Sequence, residues 1–349
     1  VTSLTPSGSA TAEARFRGVP LSVLDLAPVV SGSTPSAALA QTLELARHVD
    51  DLGFRRYWLA EHHNMPGIAS SAPPILIGAV AAATTSIRVG SGGVMLPNHM
   101  PLVVAEQFGT LEALHPGRID LGIGRAPGTD GLTAHALRGN SDPRLVEEFP
   151  QHLAHVRAFF SGEWPDGHPY AGITATPGHG ANVPVWLLGS SDYSARAAAA
   201  LGLPFSFAHH FSSTNTVPAL TLYRDGFQPS AEFAAPYAMV AVSVVLADDD
   251  ERAQWLAGPM KLSMARLRSG RPGPLPTPEE AAAYEFAPAE LELLAPFLGG
   301  QIAGGPDTVR RELEALLDRT AADELMVVTT VSPHADRLRS YDLLAGLLP

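Results

Sequence analysis

The chain has 349 residues, 46% of them hydrophobic, and a formal net charge of -12. So acidic a balance argues against binding nucleic acid or an anionic membrane surface, both of which need clustered Lys and Arg. Cysteine is absent and lysine occurs once, as Lys261, which excludes disulfides, thiolate nucleophiles, Fe–S clusters and Cys-ligated zinc. His, carboxylates, Arg and a borrowed cofactor are left to carry chemistry.

Residues 1–19 are rich in Ser, Thr, Ala and Gly and lack the apolar core of roughly 7–15 residues that a secretory signal carries. A flexible arm, a cytoplasmic protein and no membrane span are expected. The run 21–28 then reads as a strand stopped by Pro28. Residues 36–53 read as a helix, with Leu39, Leu43, Ala46 and Val49 at helical spacing and Gly53 at its close. A strand over 56–62 precedes a small-residue helix over 73–85. A strand over 87–96 precedes a helix over 101–114 that starts on Pro101, a favoured first-turn residue.

The alternation continues with strand 118–125 and helix 144–160, strand 183–189 and helix 192–201, and strand 204–208 and helix 214–227. Strand 237–246, helix 306–319, strand 324–330 and helix 334–347 complete it. Strand-then-helix units repeated about eight times predict an α/β chain folded as one (β/α)8 TIM barrel over 20–349. Two stretches break the repeat. One is a Gly/Pro/His-rich loop at 162–182. The other is a Pro- and Arg-bearing insertion at 257–304, expected to lie over the barrel mouth as a lid.

Three strand ends stand out. Glu61-His62-His63-Asn64 ends the second strand, where alternation puts Trp58, Ala60 and His62 on one face and Tyr57, Leu59, Glu61 and His63 on the other. Gly92-Gly93 interrupts a strand in which glycine marks a bend, a bulge or the close approach of a flat ligand. Gly122 and Gly124 repeat the pattern on the next strand, so neighbouring strands that give up side-chain volume suit a planar ring. Arg125 follows them and can grip a phosphate; a rim salt bridge is its alternative role.

Gly189, Ser190, Ser191 and Ser194 surround the start of the 192–201 helix, whose free N–H groups suit an anion. Simple capping is the alternative for those serines. His209-His210 ends the sixth strand, and a metal shared by His62 with either of them stays open. Trp58, His63, Asn98, His99, His209, His210 and Phe211 are the candidates to line a substrate pocket, whose substrate is not legible.

Trp58-Leu59-Ala60-Glu61-His62-His63, the glycine-rich segment 89–97 and Gly117-Arg118-Ile119-Asp120-Leu121-Gly122-Ile123-Gly124-Arg125 together resemble the bacterial luciferase-like flavin monooxygenase family. Gly189-Ser190-Ser191 and Gly202-Leu203-Pro204 extend the likeness, which covers 20–347. The resemblance implies that reduced FMN, supplied by a separate flavin reductase, and dioxygen oxidise a small organic substrate through a peroxyflavin. It also implies a homodimer. Residue by residue, it makes His62 the catalytic group beside the flavin and Gly92-Gly93 a non-prolyl cis peptide against the ring. It gives the phosphate to Arg125, Ser190, Ser191 and Ser194.

Gly124 stands where luciferase has a cysteine, so light emission on a long-chain aldehyde is not implied. Positions 190–191 also lack luciferase's acidic residue, which implies a more neutral phosphate environment. A deazaflavin-dependent hydride transfer, a non-catalytic flavin-binding subunit and a His-based metal hydrolase remain as alternatives.

Overall fold

The computed structural model describes residues 12–139 and 147–348. β1 (Arg15–Phe16) pairs antiparallel with the start of β2 (Val19–Asp25), and Ala14 and Phe16 are buried. The expected arm is therefore anchored from residue 14, because Phe16 joins the main core; residues 1–11 lie outside the described residues.

The chain continues through α1 (Pro35–Asp51), β3 (Arg56–Leu59), α2 (Pro73–Ala83), β4 (Arg88–Ser91), β5 (Val94–Met95), α3 (Pro101–Leu114) and β6 (Ile119–Gly124). The predicted 87–96 strand is thus split in two. A helix not foreseen, α4 (Gly131–Arg138), starts on Asp130, whose carboxylate accepts the Leu132 and Thr133 amides at 3.0 Å each. α5 (Phe149–Ser161), β7 (Val185–Gly189), α6 (Asp192–Leu201), β8 (Phe205–Ala208), α7 (Thr216–Asp225) and β9 (Ala238–Leu246) follow as expected. Residues 144–146 of the predicted 144–160 helix lie outside the described residues.

The insertion carries regular structure of its own. It begins inside α8 (Asp250–Arg268), capped by Asp249 through the Arg252 amide at 2.7 Å, and adds α9 (Pro278–Ala282), α10 (Pro288–Leu298) and β10 (Gln301–Gly304). α11 (Pro306–Thr320), β11 (Glu324–Val328) and α12 (His334–Ala345) close the chain. β10 exists because β9 outlasts β8: residues 238–241 of β9 pair with β8, and residues 243–246 pair with β10.

β2, β3, β4, β6, β7, β8, β9 and β11 form a parallel ring in which β11 pairs back onto β2, a closed (β/α)8 barrel of the TIM type. Alternate residues of each strand face inward. At the N-terminal end the bore is polar. Arg56 donates through Nε to Glu324 at 2.9 Å and through Nη1 to Asp120 at 2.7 Å, while Arg88 reaches Asp120 at 2.6 Å. The hydroxyls of Ser22 and Tyr237 also donate to Glu324.

Burial pushes the Asp120 carboxyl up, but Arg56 and Arg88 outweigh that and hold it below its ordinary range. One layer higher, Leu24, Trp58, Trp186, Met239 and Met326 fill the bore. Trp58 and Trp186 meet edge to face at 5.3 Å, and Trp58 Nε1 donates to Asp120 at 3.2 Å.

Asp120→Asn keeps the volume of this plug and removes its shared charge, leaving Arg56 and Arg88 under-compensated. Breaking such a buried ion network is expected to cost about 3 kcal/mol. A lower denaturant midpoint at unchanged slope would show it; an unchanged midpoint would contradict it.

Candidate functional site

Above the indole layer, at the C-terminal strand ends, lies a cavity of about 620 Å³. Trp58, Leu188, Ser206, Ala241 and Met326 form its floor, and Met260, Met264 and Leu267 of α8 its far wall. The loops above are stitched together by backbone. Val29 N donates to Gly67 O at 2.9 Å, Leu275 N to Val29 O at 2.8 Å, and Ser31 N to Leu275 O at 2.8 Å. The insertion predicted to be a lid is thereby tied to the loops after β2 and β3.

The Gly92-Gly93 peptide is cis, and it sits at a break in register. Gly90 lies opposite Asp120 but Val94 lies opposite Ile123, so four steps along one strand match three on the other. This is a β-bulge, which re-aims the strand end. A Cβ on Gly122 would sit 2.1 Å from Ser91 O, and one on Gly93 would sit 2.8 Å from Gly122 O. These glycines serve backbone contact rather than leaving an empty slot, which corrects the reading of vacated volume. Gly92, Gly93 and Gly124 line the cavity; Gly122 does not.

His62 lines the cavity, while Glu61, one residue earlier, points outward and is fully buried. Glu61 accepts His63 Nε2 at 2.9 Å, His99 Nε2 at 2.8 Å and the Met95 amide at 3.0 Å. Burial pushes its pKa up, yet the bonds from His99, His63 and Met95 hold it below its ordinary value. Glu61 therefore locks the loop after β3 to the end of β5. His62 Nδ1 faces the carbonyl of Gly128 at 3.3 Å. A carbonyl only accepts, so the proton is on Nδ1 and Nε2 is the free acceptor. Burial pushes the His62 pKa down, more than the Gly128 bond and Glu61 raise it, which keeps the ring neutral.

At the opposite end, Arg125, Gly189, Ser190, Ser191 and Ser194 all reach the same cavity. Ser191 is the N-cap residue of α6, but its side chain accepts none of the first-turn amides, so those N–H groups remain available to an anion. The Arg125 guanidinium lies over the Tyr193 ring at 4.1 Å, and no carboxylate among the described residues pairs with it. Asp192 brings a negative charge to this turn, and its Oδ1 accepts from Asn215 Nδ2 at 3.1 Å.

The pocket candidates divide. Trp58, His210 and Phe211 line the cavity, Trp58 only as its buried floor; His63, Asn98, His99 and His209 do not. His63 and His99 face Glu61. Asn98 donates to Pro127 O at 2.9 Å and accepts Arg138 Nε at 3.0 Å. His209 turns to Thr216 Oγ1 at 2.7 Å. His210 places Nδ1 2.9 Å from Ala241 O, so its Nε2 is also a free acceptor, and burial pushes its pKa down to about 4. Sequence reasoning missed the wall built by Leu26, Met65, Ile68, Met260 and Met264. Its signal, methionines scattered through loops and α8, has no period. Among the described residues, no group of three or more His, Cys, Asp or Glu side chains could hold a metal, and no helix is long and apolar enough to cross a membrane.

The family described as luciferase-like monooxygenase matches residues 19–324. A luciferase-like monooxygenase of Escherichia coli (strain K12) is 46% identical over 93% of this chain and 96% of its own. An N-acetyl-S-alkylcysteine monooxygenase of Bacillus subtilis (strain 168) is 34% identical over 93% and 97%. The crystal structure of apo-MsnO8 superposes with a TM-score of 0.86 at 41% identity, covering 94% of this chain and 97% of that one. With its barrel, its bulged Gly92-Gly93 strand and these relatives, the chain belongs to the luciferase-like monooxygenase family.

Proposed function

We propose that this chain is a flavin-dependent monooxygenase that uses reduced FMN, delivered by a separate flavin reductase, and dioxygen to oxidise a small organic molecule. The observation that carries the reading is one cavity with an anion-binding end and a neutral histidine over an apolar floor. The residues fit the cofactor. Arg125, Ser190, Ser191 and the uncapped turn of α6 would hold the phosphate, and the Gly92-Gly93 edge would support the ring. Reduced flavin, when bound, supplies the electrons that dioxygen needs.

The chain's own work is positioning, shielding and proton handling. The stitched loops after β2 and β3, with 272–275, keep water from the cavity. His62, its Nδ1–H held by Gly128, offers Nε2 as a general base and returns the proton as a general acid. His210 offers a second neutral acceptor on the same wall.

The direct test supplies enzymatically reduced FMN and isotopically labelled dioxygen with a panel of small organic molecules. Label is expected in a product. Turnover with a reduced deazaflavin in the absence of dioxygen, and none with FMN, would overturn the reading. His62→Ala is expected to retain FMN binding while product formation falls by about 100-fold or more. Unchanged coupling of product to reductant would remove His62 from the mechanism. Arg125→Ala is expected to raise the FMN dissociation constant by about tenfold to 100-fold, the worth of charge-assisted phosphate contacts.

The buried neutral ring of His210 also makes a pH prediction. The unfolded chain takes up a proton at His210 near the ordinary 6.5, which the folded protein refuses until about 4. Stability is therefore full above that range and falls as pH drops through it, by on the order of 3 kcal/mol. In His210→Gln the slope of stability against pH between those limits should flatten, read by urea unfolding at several pH values. An unaltered slope would place the proton uptake elsewhere.

A further inference from the structure

The cavity has two chemically different ends. Arg125, Ser190 and Ser191 mark one; Leu26, Ile68, Met260, Met264, Leu267 and Leu275 build the other. Arg125 is the one formally charged side chain on the wall among the described residues. The other polar side chains there are neutral: the His62 and His210 rings and the hydroxyls of Ser206, Ser243, Ser263 and Thr330, besides the two serines and Ser194 at the Arg125 end.

With Arg125 engaged by a phosphate, a carboxylate entering beside α8 would lose its water and meet no cation. An ammonium would meet no anion. Either is costly in an apolar enclosure. The wall is also adaptable. Met65, Met95, Met260, Met264 and Met326 line it, five of the chain's seven methionines, and unbranched thioethers repack around differing shapes.

We propose that the α8 end of this cavity binds an uncharged, largely apolar organic molecule and rejects the corresponding carboxylate, an inference that rests on the flavin reading above. It sets this chain apart from its N-acetyl-S-alkylcysteine monooxygenase relative, whose named substrate is a carboxylic acid.

The test is calorimetric titration of the full chain, saturated with FMN, by a methyl naphthyl ketone and by the naphthoate of matching shape. The ketone is expected to bind and naphthoate to bind roughly 100-fold more weakly. Met264→Arg, at a half-buried position of α8, should narrow that ratio by about tenfold by supplying the missing cation; Met264→Leu should leave it in place. Naphthoate binding as tightly as the ketone, neither binding, or an unmoved ratio in folded Met264→Arg would each overturn the proposal. Quenching of FMN fluorescence on mixing is scored separately. If FMN fails to bind, the flavin reading falls, and the same titrations with inorganic phosphate in place of FMN decide the substrate class by the same outcomes.

Discussion

Arg56 lies between Asp120 and Glu324 at the N-terminal end of the barrel, 2.7 and 2.9 Å from them, with Arg88 closing Asp120 from outside. These charges tolerate burial because each has an opposite partner and further hydrogen bonds. Together with the Trp58–Trp186 pair above them they fill the lower bore. The space left inside the ring lies at the C-terminal end, where the loops meet. The plug also orients Trp58 through Asp120, and Trp58 underlies Gly92, whose Cβ would meet the Trp58 Cβ at 3.2 Å. The geometry of the bulged strand end is thus supported from below by a salt-bridged layer two residues deeper.

Glu61 does the complementary work outside the barrel. It shares strand β3's exit with His62 but faces the other way, and its two histidine partners come from its own loop and from the residue after the turn that follows β5. Because one oxygen receives both His63 and His99, neither ring is available to the cavity. The adjacent histidines of the sequence therefore divide their duties: His62 belongs to the site and His63 to the brace that holds it. His209 and His210 repeat the division, with Thr216 holding the first and Ala241 orienting the second.

That division explains what the sequence could and could not disclose. Period-2 alternation correctly separated Trp58, Ala60 and His62 from Glu61 and His63, and the eight-unit barrel followed from the repeated alternation of strand and helix. Arg125 and the serines around α6 could be placed on one cavity because strand ends of a barrel converge by construction. Alternation assigns a face, however, and not a partner. Asn98 and His99 follow a strand end and resemble pocket residues, yet Arg138, Pro127 and Glu61 claim them. A bulge was among the readings the strand glycines allowed, but its partner was not. Gly93 and Gly122 are needed by the carbonyls of Gly122 and Ser91 on facing strands, a contact between residues 31 positions apart that no local pattern encodes.

The two ends of the cavity come from different parts of the chain, and this has a consequence for how the site is tuned. Arg125, Gly189, Ser190 and Ser191 sit on barrel strand ends and on α6, rigid elements whose register is fixed by β6, β7 and β8. The apolar end comes from the loops after β2 and β3 and from the insertion, joined by the hydrogen bonds of Val29, Gly67 and Leu275. Changes in 260–275 can therefore reshape one end without disturbing the ring pairing that holds the other. His62 and His210 stand on strand ends between the two. A charge on His62 would add to the burial that already depresses the His210 pKa.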